Sequence, residues 1–251
     1  MLPLTDRPVL DRYLADGYET VRGMSSRFAA TICSHLLLHQ TAIGIGGHAA
    51  EIGTFEGRFF IALALALEPG QRAAGIDLFN WPNAGLYDLF VSHVRRHQVP
   101  DAAFVPMRCD SRTLPPASLT EALGGGTVRF FHIDGEHGHD SLVRDLALAE
   151  AVVDPRGLIV LDDMLHPAYP TLGDTVHTWL RERPEWQVLC LLDREDIVAA
   201  AKYVLCRAEA VPLYAPFLEE RFAPQVFLMG ADFVSHVAIV LTPHPRLAEV
   251  D

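Results

Sequence analysis

Two stretches of the chain carry the residue types best suited to chemistry: Phe130-Phe131-His132-Ile133-Asp134-Gly135-Glu136-His137 and Leu158-Ile159-Val160-Leu161-Asp162-Asp163. In each, an apolar run delivers acids to its carboxyl end. Neighbours on a regular strand point to opposite faces, so Asp162 and Asp163 reach one site only where the strand ends and bends, and Asp163 sits at that point. Three carboxylates around one point repel each other unless a cation lies among them. All-oxygen donors with water completing the shell suit Mg²⁺, with Mn²⁺ or Ca²⁺ as substitutes. Asp134, Asp162 and Asp163 are therefore the candidate metal ligands. His137, three residues beyond Asp134, is the candidate general base, because imidazole exchanges a proton near neutral pH. Such a set suits a hydroxyl that must lose its proton before it can attack.

Acids also end the earlier apolar runs. Glu51 begins the pattern Glu51-Ile52-Gly53-Thr54-Phe55-Glu56-Gly57. Its glycines allow a tight turn and close approach of a ligand to the backbone, and a helix N-terminus follows. This is not the Gly-x-Gly-x-x-Gly of dinucleotide folds. An acid at the strand end suits a cationic amine better than a pyrophosphate. Asp77 is placed to accept hydrogen bonds from two ribose hydroxyls, and Cys109-Asp110-Ser111 closes the next run, where an adenine could sit.

The elements that must position these residues are read from periodicity. Residues 8–40 show apolar spacings of three and four and are expected to be helical. Strands are expected at 49–52, 73–78, 103–108, 128–133 and 157–161, with helices at 58–67, 86–97 and 141–153 between them. A helix at 175–183, strands at 186–192 and 202–206, a helix near 214–222 and a strand near 234–241 continue the chain. Near-continuous apolar strands alternating with helices predict a doubly wound, Rossmann-like, mostly parallel sheet of seven strands, class α/β. Residues 1–45 would be an N-terminal helical addition, 46–251 a core with a C-terminal insertion, and the whole one domain. In such sheets ligands bind beyond the carboxyl ends of the strands.

The stretch Glu51–Gly57, Asp77 and the pair Asp110-Ser111 resemble motifs I, II and III of class I S-adenosylmethionine-dependent methyltransferases, over roughly residues 48–165. The Ile-Asp-Gly-x-His pattern resembles the branch that holds the metal-dependent catechol methyltransferases and the macrolide-sugar O-methyltransferases. The resemblance implies that Glu51 and Gly53 line the methionine part of S-adenosylmethionine and that Thr54, Gly57 and Arg58 also bind the cofactor. It places Asp77 on the ribose, Asp110 and Ser111 beside the adenine, and Asp134 between cofactor and metal. It also implies Mg²⁺ on Asp134, Asp162 and Asp163, His137 as base, and a small hydroxylated acceptor such as a sugar diol, a catechol or a polyketide-like metabolite. Phe59 departs from the family, whose catechol-type members often place a serine there near the cofactor carboxylate. Arg58 or backbone amides must then hold that group. A cephalosporin-hydroxylase-like protein of the same fold and a non-catalytic cofactor-binding partner are the alternatives.

Among the other polar residues, His132 is expected to be a packed strand residue, His139 a helix-start residue, Asp140 the N-cap of a helix at Ser141, and Asp145 a helix or salt-bridge residue. His166 is a weaker candidate for acceptor contact, as are Phe79, Trp81 and Tyr169. Acceptor choice is assigned to residues 8–40, the loop after Asp163 and the segment 208–232. The formal charge of −12 over 251 residues argues against a nucleic-acid partner. The four cysteines show no Cys-x-x-Cys spacing and read as reduced, packed thiols. With no basic n-region followed by an apolar run, and no apolar run long enough for a bilayer, the protein is expected in the cytoplasm, off the membrane. A homodimer is the expected assembly.

Overall fold

In the computed structural model, which describes residues 2–233 and 235–244, the apolar runs form strands β1 (His48–Ile52), β2 (Ala73–Asp77), β3 (Phe104–Arg108), β4 (Val128–Ile133) and β5 (Val153–Met164). β1 pairs in parallel with β2 and β4, β2 with β3, and β4 with β5. Every residue of β4 is buried, as a parallel sheet covered on both faces requires. The chain grows outward from β1 in one direction through β2 and β3, then returns and grows the other way through β4 and β5. The switch point therefore lies between β1 and β4, where the Asp134 N–H donates to the Ile52 carbonyl at 2.9 Å.

Strands β6 (Trp186–Leu192), β7 (Ala201–Arg207), β8 (Val226–Phe233) and β9 (His236–Leu241) complete one sheet in the order β3-β2-β1-β4-β5-β7-β6-β9-β8. β7 is antiparallel to both β5 and β6, and β8 is antiparallel to β9. The sheet thus has nine strands where seven were expected. Of the two strands beyond seven, β9 falls on the tail strand read near 234–241, and β8 matches no segment read as a strand; β8 lies at the sheet edge and has no buried residue, and Phe227, Leu228 and Met229 are 48%, 87% and 80% exposed. An edge strand whose core contacts are confined to the partly buried Val226, Ala231 and Phe233 carries no sustained alternating pattern to read. Val234, part of the expected tail strand, lies outside the described residues.

Helices α1 (Pro8–Arg12) and α2 (Arg27–Ala42) precede the sheet. α1 runs on through a π-helical turn, Tyr13–Gly17, and a 3₁₀ turn, Tyr18–Thr20. The chain then breaks before Ser26, whose Oγ caps α2 by accepting from the Ala29 N–H at 3.0 Å. The crossovers are α3 (Arg58–Leu65), α4 (Leu86–Arg96), α5 (Pro116–Leu123), α6 (His139–Val152) and α7 (Pro170–Arg181), with α8 (Val211–Arg221) after β7. α5 occupies what reads as a proline-rich loop, because Pro116 sits in the first turn, where its missing N–H is harmless. One apolar cluster joins α2, α3, α4 and α8 to one face of the sheet, and a second joins α5, α6 and α7 to the other.

Candidate active site

A cavity of about 920 Å³ opens over the carboxyl ends of β1, β2, β4 and β5. It is lined by Glu51, Gly53, Thr54, Arg58, Asp77, Asp110, Ser111, Asp134, His137, Asp162 and Asp163. Of the residues singled out from sequence for cofactor, metal or base, Gly57 is the exception. It starts α3 at φ +95°, and a Cβ there would stand 3.0 Å from the Phe90 ring, so its place is set by packing against α4. Gly53 lines the cavity, yet the close approach it permits is to backbone: at φ +81° a Cβ would fall 1.8 Å from the Asp134 carbonyl oxygen.

At the end over β1 to β3, Glu51 is buried and its Oε2 has no protein partner; Thr54 Oγ1 is likewise buried and unpaired. Burial pushes the Glu51 carboxyl well above its ordinary range, against the pull of Lys202. Asp77 braces the turns above it, accepting from the Phe55 N–H at 2.9 Å and the Phe79 N–H at 2.7 Å. Asp110 is gripped by Arg112, with Nη2 to Oδ2 at 2.7 Å. Arg58 points away toward the N-terminal segment, its Nε donating to the Val21 carbonyl at 2.5 Å and its Nη2 lying 3.1 Å from Glu19. Asp145, read as a helix residue, lines the cavity beside Ser111 with Oδ1 unpaired, and burial raises its pKa to about 6.

Over β4 and β5 the three acids divide. Asp163 adopts φ +58°, and the β5–β7 register shifts between Leu161 and Met164. The two neighbouring acids consequently diverge. Asp163 Oδ2 lies 2.7 Å from His137 Nε2. That contact raises the imidazole pKa against the effect of burial. His137 stacks on Tyr169 at 4.0 Å and 10°, and Tyr169 stacks on His166 at 4.7 Å. Asp162 turns inward to a salt bridge with Lys202 and accepts from Ser25 Oγ at 3.0 Å. Burial would raise its pKa, but the Lys202 ammonium overcomes this and holds it at about 2. Asp134 sits between the two, its carboxyl pushed well up by burial and by the Asp162 charge. Ligand atoms of Asp134, His137 and Asp163 lie within 4.8 Å of one another, as do those of His132, Asp134 and Asp162. With Asp162 occupied by an ammonium, the donor set that fits a divalent ion is Asp134 with Asp163, since Mg²⁺ keeps several waters and needs only one or two carboxylates.

His132 is fully buried, as expected, but connects the two ends. Lys202 Nζ lies 3.2 Å from its Nε2, so Nδ1 carries the proton and donates to Glu51 Oε1 at 3.1 Å. His139 opens α6 and pairs with Thr175 Oγ1 at 2.8 Å. Asp140 is in the first turn of α6, not its N-cap, which is Gly138. Phe79 is fully buried among Tyr87 and Phe90, whereas Trp81 stands exposed at the cavity rim. The segment 208–232 does not reach the cavity; Ile197 and Val198, from the loop between β6 and β7, do. Lys202 and Ser25 were missed. The legible signal for Lys202 is a lone lysine opening an apolar strand, since a buried ammonium demands a partner.

A family model described as a methyltransferase domain matches residues 50–164. No curated protein matches the chain by sequence. Among solved structures, the O-methyltransferase TomG from Streptomyces achromogenes, in complex with SAM, is 16% identical with a TM-score of 0.56, over 82% of this chain and 92% of that one. An O-methyltransferase from Bacillus cereus, in complex with SAH, is 15% identical with a TM-score of 0.57, over 82% and 93%. The calicheamicin methyltransferase CalS11 is 14% identical with a TM-score of 0.56, over 79% and 85%. Residues 50–164 are thus similar to a methyltransferase domain, and the chain shares the fold of these solved O-methyltransferases. Among the described residues no helix is long and apolar enough to cross a membrane.

Proposed function

We propose that the chain transfers a methyl group from S-adenosylmethionine to a hydroxyl oxygen of a small acceptor, with His137 as general base and residues 1–251 acting as one domain. The observation that carries this reading is that one cavity holds both halves of such a reaction, with Glu51, Thr54, Asp77 and Ser111 at one end and the His137–Asp163 pair at the other. An unpaired buried polar atom costs about 1–3 kcal/mol, and Glu51 Oε2 and Thr54 Oγ1 are relieved by a ligand amine and a ligand hydroxyl. A pyrophosphate would be repelled by the Asp77 carboxylate at the end of β2. The complexes of TomG with SAM and of the Bacillus cereus enzyme with SAH support the same cofactor through the shared fold.

The chain's own groups supply the rest. His137 donates its Nε2 proton to Asp163, which leaves the Nδ1 lone pair to accept the proton of an acceptor hydroxyl. The stack of Tyr169 on His137 fixes the ring plane, and with His166 it gives an aromatic wall for a ring-shaped acceptor such as a sugar diol, a catechol or a polyketide-like metabolite. Bound S-adenosylmethionine supplies an electrophilic methyl group. Asp134 and Asp163 would hold Mg²⁺, which when bound supplies Lewis acidity that makes the hydroxyl easier to deprotonate. A homodimer belongs to the same reading, and the exposed apolar residues of edge strand β8 support it.

The deciding experiment is a calorimetric titration of metal-stripped protein with S-adenosylmethionine, with and without Mg²⁺, and with NADH as control. Binding of the sulfonium cofactor and not of NADH is expected, followed by gain of one methyl group in a screen of diol acceptors. No binding of S-adenosylmethionine in either condition ends this reading.

A further inference from the structure

Lys202 has no exposed surface, in a strand whose first six residues are all buried. Its Nζ forms a salt bridge with Asp162, lies 3.2 Å from His132 Nε2 and donates to Ser25 Oγ at 3.1 Å. Ser25 Oγ in turn donates to Asp162 Oδ2 at 3.0 Å, and Ser25 is itself buried. Taking an ion pair out of water is costly, and well-packed apolar residues often serve stability as well or better. A purely structural account therefore leaves the pair without a reason. Its location supplies one. Ser25 ends the segment Arg22–Ser25, which breaks the N-terminal helices and forms one wall of the cavity beside Glu51, Gly53 and Phe59.

We propose that Lys202 is a positioning residue that acts through Asp162: the buried pair grips Ser25 and latches the segment Arg22–Ser25 over the cofactor end of the cavity. The segment's other ties run to the N-terminal turn and to α3 with the turn before it, not to the acids over β4 and β5. Arg22 meets Glu56 at 2.9 Å but is 63% exposed, Arg58 holds the Val21 carbonyl, and the Tyr18 hydroxyl donates to the Ser25 carbonyl at 3.0 Å. Gly23 has no side chain to contribute, and Met24 is 47% exposed. The Ser25 hydroxyl is thus the side-chain contact that joins this wall to the floor on which the acids stand. This assigns Asp162 to the latch, apart from Asp134 and Asp163. It rests on the methyl-transfer reading only for the identity of what lies beneath the segment.

The test uses the full chain without cofactor. Limited trypsin digestion, read by mass spectrometry, reports opening of the segment through cleavage after Arg22. Ser25→Ala and Lys202→Met should each be cut there about tenfold faster than wild type. Their Kd for S-adenosylmethionine should rise about tenfold, or about 1.4 kcal/mol, while Mn²⁺ binding stays at the wild-type level. Cleavage of Ser25→Ala after Arg22 at the wild-type rate overturns the proposal. Should Lys202→Met fail to fold, Ser25→Ala decides alone. Faster cleavage of Ser25→Ala in a protein that binds no S-adenosylmethionine keeps the latch and ends the methyl-transfer reading instead.

Discussion

His137 Nε2 stands 2.7 Å from Asp163 Oδ2, so the candidate base is oriented by an acid read from sequence only as a metal ligand. The pairing favours the imidazolium and raises its pKa above the ordinary 6.5. The sign follows directly: protonated at low pH, His137 becomes an available base only as pH rises through that raised value. An NMR titration of the metal-free protein should therefore place His137 above 6.5, and Asp163→Asn should bring it back toward that value. His137→Ala should lower kcat/KM by about 10²- to 10⁴-fold and leave the Kd for S-adenosylmethionine unchanged. A His137 that titrates at or below 6.5 in wild type would remove Asp163 from this role.

The division of the three acids separates their variants. Mn²⁺ binding, followed by electron paramagnetic resonance, should be lost in Asp134→Asn and in Asp163→Asn and kept in Asp162→Asn. Chelator should abolish turnover and Mg²⁺ restore it. Loss of Mn²⁺ binding in a folded Asp162→Asn would return Asp162 to the ligand set.

The Asp162–Lys202 pair also makes a prediction about stability. Removing one partner leaves the other charge buried and unpaired, a loss of about 3–5 kcal/mol. Urea melts of Asp162→Asn and Lys202→Met should each show a loss of that order, and the double variant should lose less than the sum. The Asp162 pKa is depressed in the fold to about 2, against about 3.9 in the unfolded chain. Its contribution is therefore complete above the unfolded value and is lost as pH falls from there through the folded one. Equal acid sensitivity of wild type and double variant between those values would contradict the assignment.

The parallel half of the fold was legible because buried strands such as β4 are written as unbroken apolar runs that end in acids. That same feature placed Glu51, Asp77, Asp134 and His137 around one cavity. The divergence of Asp162 and Asp163 was not legible, because it depends on a left-handed backbone at Asp163 and a register shift against β7, neither of which leaves a residue pattern. Ser25 was hidden for a similar reason: its partners lie 137 and 177 residues away along the chain. Lys202 was within reach, since an ammonium in an apolar strand asks for a buried acid. The segment 208–232 lies away from the cavity because part of it becomes edge strand β8, while the loop between β6 and β7 carries Ile197 and Val198 to it.

Gly53 gives the last prediction, because its role differs from the one its motif suggests. The turn after β1 passes so near the end of β4 that an added Cβ would lie 1.8 Å from the Asp134 carbonyl oxygen. The obstacle is backbone, which cannot rotate aside as a flexible side chain can. A φ of +81° adds strain for any L side chain. Gly53→Ala should therefore cost more than about 2 kcal/mol in a urea melt, through steric conflict at a special backbone conformation. Gly57→Ala has a similar φ but meets side chains and not backbone, the Phe90 ring at 3.0 Å and Val94 Cγ2 at 3.7 Å. It should cost less and leave cofactor affinity unchanged. Because β1 and β4 carry Glu51 and Asp134, a Gly53→Ala protein that still folds should bind S-adenosylmethionine more weakly. A stable Gly53→Ala variant with wild-type affinity would show that the spacing of these two strand ends is not what holds the two halves of the cavity together.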